Sequence, residues 1–104
     1  MEEAKIVEEL AYACKQVGGE WSKVFDSCKL GETTVRLTRS LREGVDIEIT
    51  SNYISVATIE GITHSPFRVS NRNLRIELFG EDFDCIFEID KNGFTTIKIG
   101  KELE

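Results

Sequence analysis

Apolar and polar residues alternate from Val35 to Ile99, and this alternation constrains the fold more than any other feature of the sequence. A period of two residues is typical of a strand with one buried face and one solvent face. Successive strands of this kind predict an antiparallel meander that needs an apolar layer to cover it. The apolar positions are Val35, Leu37, Leu41, Val45, Ile47, Ile49, Ile54, Val56, Phe67, Val69, Leu74, Ile76, Leu78, Phe83, Cys85, Phe87, Ile89, Ile97 and Ile99.

The residues before the meander follow a helical rather than a strand pattern. We expect a helical part over residues 2–29 and the meander over residues 33–100. The first helix has an apolar face made by Ile6, Leu10, Ala13, Cys14 and Val17, and Gly18 and Gly19 then supply its end. A second apolar set at i, i+3, i+4 and i+7 favours another helix, although a short strand also fits residues 20–28. This set comprises Trp21, Val24, Phe25 and Cys28.

Turn chemistry predicts how the strands pair. Three-residue loops over 42–44 and 91–93 and two-residue turns over 51–52, 61–62, 72–73 and 80–81 keep the alternation in phase. The expected facing pairs are Leu37 with Ile49, Ile49 with Ile54, Val69 with Ile76, Leu78 with Phe83, Phe87 with Ile97, and Cys85 with Ile99.

A sheet of this size must curl. Seven strands spaced at about 4.8 Å make a flat sheet roughly 34 Å wide. Two helices, each about 10 Å across, cover only part of that width. We therefore predict one α+β domain over residues 1–104. One or two N-terminal helices would pack in the concave face of a curled antiparallel meander of about six or seven strands.

Composition restricts the function classes. A formal charge of −6 argues against a nucleic-acid binder, which needs cations opposite the phosphates. No stretch approaches the roughly 18 apolar residues of a membrane span. The acidic start, Met1-Glu2-Glu3, is unlike the basic start of a secretory signal. Three cysteines without a paired spacing favour a reducing compartment, so we expect a cytoplasmic protein.

The candidate catalytic residues form no recognisable arrangement. Cys14 and Cys85 occupy apolar faces, where a free cysteine usually packs as a small hydrophobe. Cys28 and the single histidine, His64, have no third group spaced to orient them as a nucleophile and base. Zinc and calcium spacings are also missing. The sequence therefore favours a non-enzymatic protein without a metal or cofactor, and a Cys28 or His64 centre stays a weaker alternative.

The charged residues suggest a binding surface. Between Glu77 and Asp90 there are six acids and no base, and the alternation directs several of them to the outer face. This predicts a small interaction, adaptor or inhibitor-type protein that binds a partner with a basic surface. The predicted contact residues are Glu77, Asp82, Asp84, Ile86 and Glu88. A purely structural charge ladder, Arg68–Glu77–Asp84, explains the same residues without a partner.

One cation falls on the predicted inner face. Arg39 lies between Leu37 and Leu41, where an inward charge guards an edge strand against aggregation. Lys98 and Lys101 would guard the other edge, which favours a monomer. Alternatively, Arg39, Thr58 and Thr95 supply the polar groups of a small-molecule pocket between the sheet and the helices.

Overall fold

In a computed structural model, residues 3–103 of the chain are described, and they form one helix and nine strands. The helix α1 spans Glu3–Gln16. The strands are β1 (Glu20–Ser22), β2 (Ser27–Leu30), β3 (Thr33–Arg39), β4 (Val45–Ser51), β5 (Ile54–Ile62), β6 (Phe67–Ser70), β7 (Asn73–Phe79), β8 (Asp84–Ile89) and β9 (Thr95–Gly100).

The strands form two antiparallel sheets instead of one continuous meander. The first sheet has the order β1-β2-β3-β4-β5 and the second has the order β6-β7-β8-β9. Buried side chains from both sheets and from α1 belong to one hydrophobic core. The α+β class with a helix packed on antiparallel sheet is thus confirmed, whereas the expected six or seven strands are nine.

Helix α1 forms where the apolar periodicity predicts it. Ile6, Leu10, Ala13 and Cys14 are buried and face the core. Glu3 lies in the first turn and Lys15 in the last, as the helix dipole favours. The helix contacts β1 and β2 of the first sheet and β6 of the second. It therefore packs against both sheets.

The prediction of a second helix is wrong, because residues 20–30 form the β1–β2 hairpin. Val24 and Phe25 lie in its turn and are 84% and 57% exposed, so their helical spacing does not mark a buried face. The turn is stabilised locally, since the N–H of Phe25 donates to Oγ of Ser22 at 3.2 Å. The helical part consequently ends at Gln16, and the strand alternative for residues 20–28 is confirmed.

Two of the cysteines are joined. Cys14 of α1 and Cys28 of β2 form a disulfide with a Cα–Cα distance of 5.7 Å, and both residues are fully buried. Their burial agrees with the expected core positions, but the expectation of unpaired thiols is wrong. The spacing of the cysteines in the sequence could not show that Cys14 and Cys28 are bonded, because only the fold brings the buried face of α1 against the β1–β2 hairpin. Within the described residues the bond ties α1 covalently to the first sheet.

Strand pairing agrees with the predicted register at one loop and differs at the others. Phe87 faces Ile97 and Cys85 faces Ile99, as the 91–93 loop predicts. Elsewhere the turns lie at other positions. The observed facing pairs are Leu37 with Ile47, Ile49 with Ala57, Ser51 with Ile54, Phe67 with Ile76, Val69 with Leu74, and Leu78 with Cys85.

Asparagine is the first residue of both observed two-residue turns, whereas the sequence predicted that they begin at Ser51 and Arg72. Asn52 and Tyr53 both have positive φ, as do Asn71 and Arg72. A type I′ turn requires positive φ at both central residues, and asparagine adopts it more readily than most other residues. The turn therefore begins one residue later than expected at β4–β5 and one residue earlier at β6–β7, and each displacement changes the facing pairs.

The β3–β4 connection is longer than the predicted three residues. Arg39 pairs with Val45, so residues 40–44 form the loop, and Leu41 is fully exposed instead of facing the core. Gly44 has φ +80°, and a Cβ on it would overlap the carbonyl oxygen of Ile62. The close approach of β5 therefore favours glycine, which has no Cβ, at the end of this loop.

Candidate functional site

Two of the predicted contact acids are paired within the second sheet. Glu77 and Glu88 are about a fifth exposed and both contact Arg75. Nε of Arg75 lies 2.8 Å from Oε2 of Glu77, and Nη1 donates to Oε2 of Glu88 at 3.2 Å. Nε of Arg68 also lies 3.9 Å from Oε1 of Glu77. These arginines offset the charge that the sequence assigned to a basic partner.

Asp84 and Ile86 do not lie on a solvent face as predicted, because they are only 7% and 1% exposed. Their strand β8 is internal to the sheet, and Ile86 lies between Glu77 and Lys98 on the neighbouring strands. Oδ2 of Asp84 accepts the N–H of Leu103 at 2.9 Å. Asp84 also faces Phe79 instead of Glu77, so the expected ladder contains only its Arg68–Glu77 contact.

The fifth predicted contact residue, Asp82, lies at the exposed end of the β7–β8 hairpin. We call residues 79–83 the acidic–aromatic tip. The N–H of Gly80 donates to the carbonyl of Phe83 at 3.1 Å, which closes the tip. Phe79 is 46% and Phe83 56% exposed, and Glu81 and Asp82 are exposed between them. Neither acid has an ion pair with another residue in 3–103.

Two clefts meet at this tip, each with a volume of about 520 Å³. Phe79, Gly80 and Phe83 line both of them. The first cleft extends to the apolar residues Ile59, Ile62, Leu78 and Cys85. The second cleft is acidic and is bordered by Glu81, Asp82, Asp84, Lys101 and Glu102. The tip therefore presents two aromatic rings with concave surface on either side.

The residues of the alternative small-molecule pocket are not brought together. Nε of Arg39 lies 3.6 Å from Oε1 of Glu3 at the start of α1. Thr58 is exposed on β5, and Oγ1 of Thr95 donates to the carbonyl of Gly93. None of the three lines either cleft. Arg39 also does not guard an edge strand, because β3 is internal to its sheet.

The reactive side chains are separated in the same way. Cys28 is bonded to Cys14 and has no free thiol. Burial raises the pKa of the Cys85 thiol above its ordinary value of 9.0, which disfavours the thiolate. His64 is exposed, and its Nδ1 lies 3.1 Å from Oγ1 of Thr63. Within residues 3–103 no three acids, histidines or cysteines gather as a metal site.

Sequence reasoning overlooked Phe79 as a surface residue. Its signal was the pair Leu78-Phe79, which interrupts the alternation just before Gly80. Phe83 was expected on the inner face opposite Leu78, but Cys85 occupies that position. Two aromatic residues around a glycine and two acids could have been recognised as an exposed turn.

Comparison with protein-family models, with curated proteins and with solved structures finds no match to this chain. Within the described residues, no helix is both long and apolar enough to cross a membrane.

Proposed function

We propose that this protein works by binding another protein, one with a basic surface, through the acidic–aromatic tip. The observation that supports this is the exposure of Phe79 and Phe83 beside Glu81 and Asp82, two acids that have no ion pair with another residue in 3–103. Partly buried aromatic side chains next to concave surface are typical anchors of protein interfaces. The acids supply the charge that attracts a basic partner and orients it.

The tip is a better candidate than the broad acidic face. Glu77 and Glu88 already contact Arg75, so a partner would have to compete with these ion pairs. Asp84 and Ile86 have little surface left to offer. Asp82 is the one predicted contact residue that is both exposed and unpaired within the described chain. An interaction at the tip also needs no catalytic residue.

Site-specific photo-crosslinking in the cells that make the protein tests this proposal. A photoreactive residue at position 82 is expected to capture a protein partner, whereas one at Thr58 on β5 is not. The double variant Phe79→Ser/Phe83→Ser should abolish capture from position 82. Tyr53→Ser is the matched control, since Tyr53 is 96% exposed on a different turn. Equal capture by the wild type and the double variant, with both folded, contradicts the proposal.

The compartment is part of the same proposal. The sequence predicts the cytoplasm, but the Cys14–Cys28 disulfide favours an oxidising compartment, where such bonds persist. Thiol titration of unfolded, unreduced protein from its own cells decides between them. One reactive thiol per chain, that of Cys85, supports the disulfide and an oxidising compartment. Three reactive thiols per chain support reduced cysteines and the cytoplasm.

A small apolar ligand in the first cleft is the second candidate function. Ile59, Ile62, Leu78 and Cys85 give this cleft an apolar wall, which is typical of small-molecule sites. Native mass spectrometry of protein isolated from its own cells is expected to show a retained ligand. A mass equal to the bare polypeptide contradicts this alternative and leaves the tip as the candidate site.

A further inference from the structure

Strand β9 offers an unpaired backbone edge. Within residues 3–103 its only sheet partner is β8. The N–H of Asp90 donates to the carbonyl of Phe94 at 3.2 Å, which makes these two residues a hydrogen-bonded pair. Hydrogen-bonded and non-bonded pairs alternate along an antiparallel ladder. Since Asp90 and Phe94 form a hydrogen-bonded pair, the next pair along the ladder, Ile89 with Thr95, is non-bonded, and every second pair after it is non-bonded as well. The N–H and C=O groups of Thr95, Ile97 and Ile99 therefore point away from β8.

The two faces of β9 differ in chemistry. Ile97 and Ile99 share the core-side face with their partners on β8 but are 44% and 66% exposed. Lys98 lies on the other face and is exposed, without an ion pair to any residue of the described chain. From Lys91 to Lys101 the sequence has three lysines and no acid, although the whole chain carries a charge of −6. The edge of β9 is therefore apolar on one face and carries the positive charge of Lys98 on the other.

We propose that β9 binds an extended segment of another protein in which apolar residues alternate with aspartate or glutamate. Such a segment would pair with the outward backbone groups of β9 and continue the second sheet. Its apolar side chains would cover Ile97 and Ile99, and its carboxylates would lie beside Lys98. Ile97, Lys98 and Ile99 line neither cleft at the acidic–aromatic tip, and the partner chemistry they favour is the opposite one.

Charge argues against a second copy of this chain as the occupant. Pairing β9 with β9 of another copy would bring Lys98 close to its own counterpart, and like charges across a strand pair are destabilising. Exposed lysine on an edge is a common protection against this kind of self-association. A segment with acids at every second position removes the repulsion and matches both faces.

Binding of synthetic peptides to the full chain tests the proposal. The probe is a fluorescein-labelled peptide of about eight alternating valines and glutamates, long enough to form a strand. The two control peptides replace glutamate by lysine, or arrange the same valines and glutamates in two blocks. We expect the alternating acidic peptide to bind at least tenfold more tightly than either control. Equal affinity for all three peptides, or no binding, overturns the proposal.

Charge reversal at the edge gives the matched protein variants. Lys98→Glu should lower the affinity for the acidic peptide roughly fivefold, because a favourable cross-strand pair becomes a repulsive one. The same variant should raise the affinity for the lysine peptide. Lys29→Glu is the control, since Lys29 is exposed on the internal strand β2 and should leave both affinities unchanged. The same loss in both variants would indicate non-specific attraction and contradict a site on β9.

Amide hydrogen exchange distinguishes strand addition from simple surface contact. The peptide should protect the N–H groups of Ile97 and Ile99, while those of Thr96 and Lys98 change little because they already face β8. Binding without this pattern overturns the proposal, and so does a concentration-dependent dimer that protects the same amides. The tip variant Phe79→Ser/Phe83→Ser should bind the peptide with wild-type affinity. The test of the β9 site is therefore independent of whether the tip binds a partner.

Discussion

Removal of the Cys14–Cys28 disulfide is expected to destabilise the protein without changing its fold. The two cysteines are separated by 14 residues along the chain, and both lie in the core. In the chain-entropy account, a bridge that closes a loop of about 15 residues stabilises the native state by ~3 kcal/mol. The total free energy of unfolding of a small domain is typically 5–15 kcal/mol, so this loss is a large share of it.

Thermal unfolding followed by circular dichroism measures the effect. Each kcal/mol changes the Tm of a domain of this size by roughly 4–8 °C, so reduction should lower Tm by roughly 12–24 °C. The double variant Cys14→Ala/Cys28→Ala should melt at a similarly lowered temperature and no longer respond to reductant. Cys85→Ala is the control, because Cys85 is the free cysteine among the described residues, so this variant should keep the full response.

A small response refutes the reasoning. If mass spectrometry confirms the bond in the starting protein and reduction lowers Tm by less than about 4 °C, the bond does not constrain the unfolded chain as assumed. If the double variant loses its far-ultraviolet spectrum altogether, the bridge is required for folding and the two-state comparison does not apply.

Three further predictions concern packing, local strain and thiol chemistry. Gly44→Ala should lower the free energy of unfolding by roughly 2 kcal/mol or more in urea, because its Cβ would overlap the Ile62 carbonyl oxygen. Gly61→Ala is the control and should lower it clearly less, since Gly61 also has positive φ but its Cβ would lie 3.8 Å from the nearest atom. Ile86→Ala should cost about 2–4 kcal/mol in the same assay, whereas a loss below about 0.5 kcal/mol would mean that the outer face of β8 is not packed. The raised pKa of Cys85 predicts slower alkylation in the folded protein than in urea at pH 8, with the rate still rising above pH 9; equal rates would contradict burial of the thiol.

The pattern of apolar residues predicts most of the core. Val35, Ile47, Ile49, Leu74 and Ile76, all on the predicted inner face, are buried. Periodicity succeeds here because side-chain direction along a strand depends only on the local backbone. It fails at strand ends and edges, where inner-face residues such as Ile54 and Ile99 remain exposed because no opposing layer covers them.

Turn positions and the acidic site were harder to predict for a related reason. A one-residue change in a turn, as at Asn52 and Asn71, alters every facing pair along the hairpin while leaving the composition of the strands unchanged. The sequence predicted a solvent-exposed outer face on β8, but the exposure of that face depends on what packs against it in the fold. Asp84 and Ile86 are buried although they lie on the predicted outer face, and Asp82 is the predicted contact residue that is exposed.

The sequence by itself determined the α+β class, the helix α1 and the inner face of the central strands, because these follow from local periodicity. Only the tertiary structure decided that the strands separate into two sheets, that Cys14 meets Cys28, and that the acids Glu77 and Glu88 contact Arg75. Each of these depends on residues distant in the chain becoming neighbours. The exposed surfaces at the tip and along β9 likewise remain where no other part of the described chain packs against them.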